Sequence, residues 1–249
     1  MRELRIVFVL KKCWENNYLL MRLLSDNELI WSAVVVNNRM NRERKASGIN
    51  SYEKEFSFKP EAYIESLMTD KRPVAWLDLC CGKGNALKQA AEYFDSKQKQ
   101  DRVFLHGIDL LDDFCTVGKN ITCLHFETVP LTAWRPSRRY DLITCSHGLH
   151  YIGDKLRVIE TAVASLTKNG FFIAHLDLDN ISIANKKSSP FLKSLFKKVL
   201  VDYNSRKKIL KAAGAAILSF DLMYIGADDT SGPNYTGQEA VTSYYEITP

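Results

Sequence analysis

Val74-Ala75-Trp76-Leu77-Asp78-Leu79-Cys80-Cys81-Gly82-Lys83-Gly84 is the stretch that decides the reading of this chain. It opens with a short apolar run, Val74 to Leu79, interrupted only by Asp78. A run of that length, closed at once by glycines, reads as a buried strand and not as a helix. Gly82 and Gly84 let the backbone turn sharply and approach a ligand closely. Beyond them Leu87, Ala90, Ala91 and Phe94 recur at helical spacing on one face. Strand, glycine turn and helix open a βαβ unit. Parallel sheets bind ligands at the C-terminal ends of their strands, near the switch point in strand order. A helix starting near Asn85 also offers free N–H groups there, suited to a carboxylate.

The same grammar continues downstream. Val103 to Leu110 reads as a second strand, ending at Asp109, and Ile121 to Phe126 as a third. Tyr140 to Cys145 is a fourth, Lys155 to Leu166 a helix, Lys168-Asn169-Gly170 a turn and Phe171 to Leu178 a fifth strand. Phe191, Leu192, Leu195, Phe196, Val199, Leu200 and Tyr203 then recur at helical spacing, with lysines between them pointing outward. Ile217–Ile225 and Val241–Ile247 read as two late strands. The Gly- and Asp-rich loop 226–238 joins them without a helix, which makes the pair antiparallel. The expected fold is α/β: a mainly parallel, doubly wound sheet of about seven strands with an antiparallel C-terminal strand pair and helices on both faces.

The first 70 residues are less regular. Asn16–Leu24 and Pro60–Met68 read as helical and Trp31–Val36 as a short strand. Residues 37–58 are polar and dense in charge. Residues 1–70 are expected to form a cap or lid, and residues 71–249 a single compact catalytic unit. The role of the first 30 or so residues stays open.

Composition narrows the classes. The chain has 249 residues, which suits one α/β domain with a small cap, and 46% of them are apolar, enough for a sizeable core. No apolar run approaches the ~18 residues of a membrane span. The N-terminal run Ile6–Leu10 is shorter than the roughly 7–15 residues of a signal-peptide core. The expected location is therefore cytoplasmic. A net charge of +5 speaks for solubility more than for nucleic-acid binding. The basic residues between Lys186 and Lys211 read as the solvated face of a helix. None of the six cysteines forms a C-x-x-C pair, so no metal site is expected.

Two common cofactor fingerprints fail. Three positions after Gly84 stands Leu87, not the third glycine of G-x-G-x-x-G, and no G-K-[ST] occurs. An apolar run, an acid at Asp78, a small residue at Cys80 and glycines at Gly82 and Gly84 instead resemble the first motif of the class I, Rossmann-like S-adenosylmethionine-dependent methyltransferases. That motif usually has glycine where Cys80 stands, and cysteine adopts positive φ less freely. The resemblance extends from about Pro73 to Asp179. It implies S-adenosyl-L-methionine as cofactor and Asp109 as the acid on its ribose hydroxyls, with Leu110 along the adenine. Glu127, or backbone near Phe126, would stand beside the adenine amine. Cys145 and Ser146, in Tyr140-Asp141-Leu142-Ile143-Thr144-Cys145-Ser146-His147, would flank its methionine portion. In this family an N-terminal tyrosine can reach the cofactor carboxylate, a place Tyr52 suits.

Catalysis is less legible. His147 and His150 follow the fourth strand, where the acceptor pocket should open, and histidine titrates near neutrality. They are the candidate general bases, with packing as the competing role. Arg39, Arg42 and Arg44 are candidates to pair with a carboxylate of cofactor or substrate, since guanidinium binds carboxylate bidentately. The alternative is a charged, exposed segment. The loop 226–238 is either a plain hairpin connection or a contact to the cap. The expected activity is methyl transfer to an oxygen or nitrogen of a small molecule. An RNA methyltransferase and a non-enzymatic cofactor-binding protein are the alternatives. No membrane partner is expected, and neither acceptor atom nor oligomeric state can be read from the sequence.

Overall fold

The computed structural model describes residues 8–12, 18–36, 43–68 and 72–248. Strands β1 (Phe8–Lys12) and β2 (Tyr18–Arg22) pair antiparallel. Short helices α1 (Asp26–Leu29), α2 (Ala33–Val36), α3 (Tyr52–Phe56) and α4 (Pro60–Ser66) follow. Two expectations are corrected here. Residues 18–22 form a strand, because pairing with β1 outweighs an apolar pattern that also suits a helix. Residues 33–36 form a helical turn, because Ser32 caps it: its Oγ accepts from the Val35 amide at 3.3 Å, against the β preference of three valines.

The central sheet is built around β3 (Val74–Leu79). Its neighbours are β4 (Val103–Asp109) on one side and β6 (Tyr140–Cys145) on the other, both parallel to it. β5 (Leu124–Thr128) pairs parallel with β4, and β7 (Leu166–His175) with β6. β10 (Ile209–Ala213) then adds antiparallel to β7, and β9 (Asp202–Asn204) antiparallel to β10. The strand order is β5-β4-β3-β6-β7-β10-β9. Chain order reverses at β3, so the crevice beyond its C-terminal end is the switch point.

β3 and β6 are buried at every position, as expected of strands covered on both faces. Alternation sorts their side chains. Ala75, Leu77 and Leu79 pack into the core under α6 (Lys155–Ala164), with Leu156, Ile159 and Val163. Val74 and Trp76 pack into the other core with Leu87, Ala90 and Phe94 of α5 (Asn85–Ser96). Asp78 shares the parity of Trp76 and therefore faces the side of α3 and α5.

The expected antiparallel pair exists, but outside the main sheet. β11 (Leu222–Asp228) and β12 (Thr242–Ile247) pair antiparallel and join β8 (Ile181–Ile183) in a separate three-stranded sheet. The antiparallel strand of the main sheet is β10. Its hairpin with β9 escapes the sequence because both strands are short; the Asn204 side chain accepts from the Arg206 and Lys207 amides and closes the turn. The third strand begins at Leu124 and not Ile121. Lys168-Asn169-Gly170 lies within β7, where the pairing with β6 shifts register.

Helix α7 (Ser188–Lys198) buries Leu192 and Phe196 and leaves Lys193, Lys197 and Lys198 exposed, a solvated face over an apolar one. It ends before residue 203, which belongs to β9. Lys155 ties the two sheets together. Its buried ammonium donates to the carbonyls of Ile152 and Val241 and to Ser243 Oγ at 2.7–2.8 Å. Among the described residues no helix is long and apolar enough to cross a membrane.

Candidate active site

Beyond β3 the backbone passes through left-handed residues at Cys80 (φ 55°), Gly82 (62°) and Gly84 (75°). Cys80 thus takes the conformation a glycine would favour, at a cost of about 1–3 kcal/mol. It is held there by close packing: a Cβ on Gly148 would lie 2.4 Å from Cys80 Cβ. The neighbouring Cys145 thiol, and then burial, push the Cys80 thiol well above its usual pKa, so it stays protonated. Gly84 is needed for space as well as φ, since a Cβ there would lie 2.2 Å from the Phe126 ring.

Asp109, at the end of β4, closes this loop. Its Oδ2 accepts from the Gly82 amide at 2.8 Å and its Oδ1 from the Leu111 amide at 3.2 Å. Beneath the loop lies a buried chain of polar groups. Tyr52 Oη donates to both oxygens of Asp78, at 2.8 and 2.9 Å. Thr144 Oγ1 donates to Asp78 Oδ1 at 2.7 Å and accepts from Trp76 Nε1 at 2.9 Å. Burial pushes the Asp78 carboxyl up to about 7, against the lowering effect of these donors.

The cleft above these groups has about 750 Å³ of space, its open mouth included. Tyr52, Cys80, Gly82, Asp109, Leu110 and Ser146 line it. Arg44 and His147 do too, so one cleft gathers half of the residues the sequence nominates. Asp78 lies below it, with Tyr52 between. Gly84 packs on Phe126, which stacks on Phe114 at 4.5 Å. Cys145 sits behind Cys80 and Gly148. Glu127 is exposed at the sheet edge, 3.2 Å from His106 Nε2, and is not in the lining. Arg39 and Arg42 lie outside the described residues.

The far end of the cleft is built differently. His147 (φ 62°) stacks on His175 at 4.0 Å, and His175 stacks on Phe56 at 4.9 Å. Glu55 Oε2 lies 3.4 Å from His147 Nε2 and 3.6 Å from His175 Nε2. Arg44 Nη2 donates to Glu55 Oε1 at 2.9 Å. Contact with His147 holds the Glu55 carboxyl down to about 2, with Arg44 assisting. Burial lowers His150 to about 3 and His175 to about 2, so both stay neutral. His150 is fully buried, and neither of its nitrogens has a partner among the described residues.

The loop between β11 and β12 covers this end. Tyr235 Oη lies 3.5 Å from His147 Nδ1, and its ring meets His150 edge-on at 5.6 Å. The Tyr235 amide donates to Asp177 Oδ2 at 2.8 Å, which anchors the loop. Glu55, His175 and Tyr235 were not singled out in the sequence. His175 ends the fifth parallel strand, a position that strand-end reasoning reaches. Tyr235 and Glu55 lie inside segments flagged only for composition.

The family profile described as "Methyltransferase domain" matches residues 52–216. No curated protein matches the chain. Among solved structures, the DhpI–SAH complex is 16% identical with a TM-score of 0.39, covering 66% of this chain and 87% of that one. CalS10, an amino pentose methyltransferase from Micromonospora echinaspora solved with SAM, is 16% identical with a TM-score of 0.37, covering 50% of each chain. The carbon methyltransferase DszA is 14% identical with a TM-score of 0.37, covering 45% of this chain. The chain spans 31% of the length of DszA and 50% of that of CalS10. With its profile match running from the Tyr52 helix through the last strand of the main sheet, the chain belongs to the methyltransferase-domain family, and its main sheet has a doubly wound, Rossmann-like strand order.

Proposed function

We propose that the chain transfers the methyl group of S-adenosylmethionine to an oxygen or nitrogen of a small-molecule acceptor. The observation that carries this reading is a single cleft at the sheet's switch point. One end of it is ordered by Gly82 and Asp109, and the other is lined by His147. The cofactor, when bound, supplies a methyl already activated by its sulfonium charge.

The residues present fit such a group. Ser146 Oγ is buried in the cleft wall with no partner among the described residues. Asp109 lines the cleft at the end of β4, where a carboxylate would accept from ribose hydroxyls. Leu110 and Ile152 continue into an apolar recess with Val129, Pro130 and Leu131, which suits a flat base. Tyr52 would act on the cofactor end only indirectly, since its hydroxyl is held by Asp78; Arg44, whose Nε has no partner among the described residues, is the better group for a carboxylate. Glu127 and Phe126 line neither the cleft nor the recess. Residues 1–70 would serve as a lid, and residues 71–249 as the catalytic unit.

His147 is the group placed to orient or deprotonate the acceptor. His150 is walled off behind it and supports its position. Positioning in a dry cleft provides several kcal/mol of barrier lowering, and a base a further 10²- to 10⁴-fold. An acceptor small enough to pass beneath Tyr235 is favoured over a nucleic acid, because no lysine among the described residues lines the cleft and Lys208 is paired with Asp177 and Asp179.

Titration calorimetry with S-adenosylmethionine tests the cofactor half: saturable binding at one site is expected, and none would end the proposal. Radiolabelled methyl transfer to a panel of small molecules and RNA tests the acceptor half. Labelling of RNA alone would overturn it. His147→Ala is expected to lower turnover by on the order of 10²-fold with cofactor affinity unchanged.

A further inference from the structure

We infer that Glu55, His147 and His175 form a binding site for one first-row divalent cation of the zinc type, its open coordination position facing the cleft. This rests on the acceptor side of the function proposed above. It also departs from the expectation drawn from cysteine spacing, because the donors are imidazoles and a carboxylate brought together from α3, the turn after β6 and the end of β7.

Three observations carry it. First, one ligand atom from each residue lies within 4.8 Å of the other two. Two imidazole nitrogens and a carboxylate oxygen are a donor set that zinc uses in open, catalytic sites. Second, the Glu55 Oε2 distances of 3.4 and 3.6 Å to the two Nε2 atoms exceed good hydrogen bonds. They lie near the roughly 3.3–3.5 Å between donors that share an ion bonded at about 2.0–2.2 Å. Third, the imidazole donors are sequestered from bulk water: His175 is 3% exposed and His147 8%.

The surroundings fit the same role. Arg44 takes the Oε1 oxygen of Glu55 and leaves Oε2 turned to the histidines. An outer contact of that kind orients a ligating carboxylate. His175 is fixed between the rings of Phe56 and His147. His147 lies on the cleft wall, so an ion shared by the two stacked rings requires His147 to turn about its Cβ–Cγ bond. The open position would then face the acceptor, and the chemistry matches an acceptor that presents an ionisable hydroxyl as a ligand.

The test is equilibrium dialysis of the full chain against zinc, with metal content read per chain and S-adenosylmethionine affinity measured on the same preparation. One zinc per chain is expected. Glu55→Gln and His175→Ala should each weaken it at least about tenfold. Glu55→Gln keeps side-chain shape, and a circular-dichroism spectrum equal to the parent's shows that the fold survives. His125→Ala, at the exposed sheet edge near His106 and Glu127, should leave the zinc in place. No saturable zinc on protein that binds S-adenosylmethionine would overturn this inference alone. Zinc retained by Glu55→Gln, or lost with His125→Ala, would overturn it too. Failure to bind S-adenosylmethionine, whatever the zinc result, would count against the proposed function instead.

Discussion

The two ends of the cleft are satisfied to very different degrees. At the Gly82–Asp109 end the polar groups named there meet: Asp109 holds two amides, and Asp78 is held by Tyr52 and Thr144, which also takes the Trp76 indole. At the Glu55–His175 end, histidines stack with unpartnered nitrogens, and the shared carboxylate stands too far away for good hydrogen bonds. Buried polar groups are normally paired, so the first end reads as pre-organised and the second as completed by what it binds.

The largest expected effect breaks the ordered end. Gly84→Ala adds a Cβ 2.2 Å from the Phe126 ring at a residue with φ 75°. Backbone strain and overpacking each cost about 1–3 kcal/mol, so a loss of roughly 2–5 kcal/mol in unfolding free energy is expected. Denaturant unfolding measures it; a loss below about 1 kcal/mol would mean that the loop is not held rigidly. Asp109→Ala comes next. It removes the acceptor of two amides and the proposed ribose partner, and each charge-assisted bond is worth about 1.5–3 kcal/mol. Cofactor affinity should fall on the order of a hundredfold by calorimetry. An unchanged affinity would detach the ordered end from the cofactor.

The same contrast explains what the sequence made legible. The ordered end comes from closely spaced signals: Val74–Leu79 buried throughout, glycines three and five residues on, and an acid at the end of the next strand. Short-range spacing encodes them, so they can be read. Glu55, His147, His175 and Tyr235 come from separate elements and meet only after the sheet has formed. Nothing local marks Tyr235 until the Asp177 carboxylate is seen to anchor its loop. The errors in the fold have the same origin. Residues 18–22 become a strand through pairing with β1, and 33–36 become helical through one serine cap. Neither pairing partner nor cap geometry is visible in hydrophobic periodicity.

A smaller effect separates structure from chemistry at Asp78. Burial raises its folded carboxyl to about 7 from an ordinary value near 4. Between those values the folded state binds the proton and the unfolded state does not. Stability therefore falls as pH rises from about 4 to about 7, by at most about 1.4 kcal/mol per pH unit from this group. Asp78→Asn removes the titrating group, so its unfolding free energy should be flatter across that window than the parent's. Equal slopes would show that Tyr52 and Thr144 keep the carboxylate ionised throughout.

The smallest effect probes the unsatisfied end. Tyr235→Phe deletes an oxygen 3.5 Å from His147 Nδ1, a contact at the limit of hydrogen bonding. Its ring, which packs against His150 edge-on and tilts over His147, is kept. With a bond this long, the loss should be under about 1 kcal/mol, a few-fold in turnover at most, with cofactor affinity unchanged. Tyr235→Ala also removes the ring and opens His147 to water, so its effect should be clearly larger. If instead the two variants fall equally and far, the hydroxyl acts on the acceptor directly, and the loop between β11 and β12 is part of the chemistry and not only its cover.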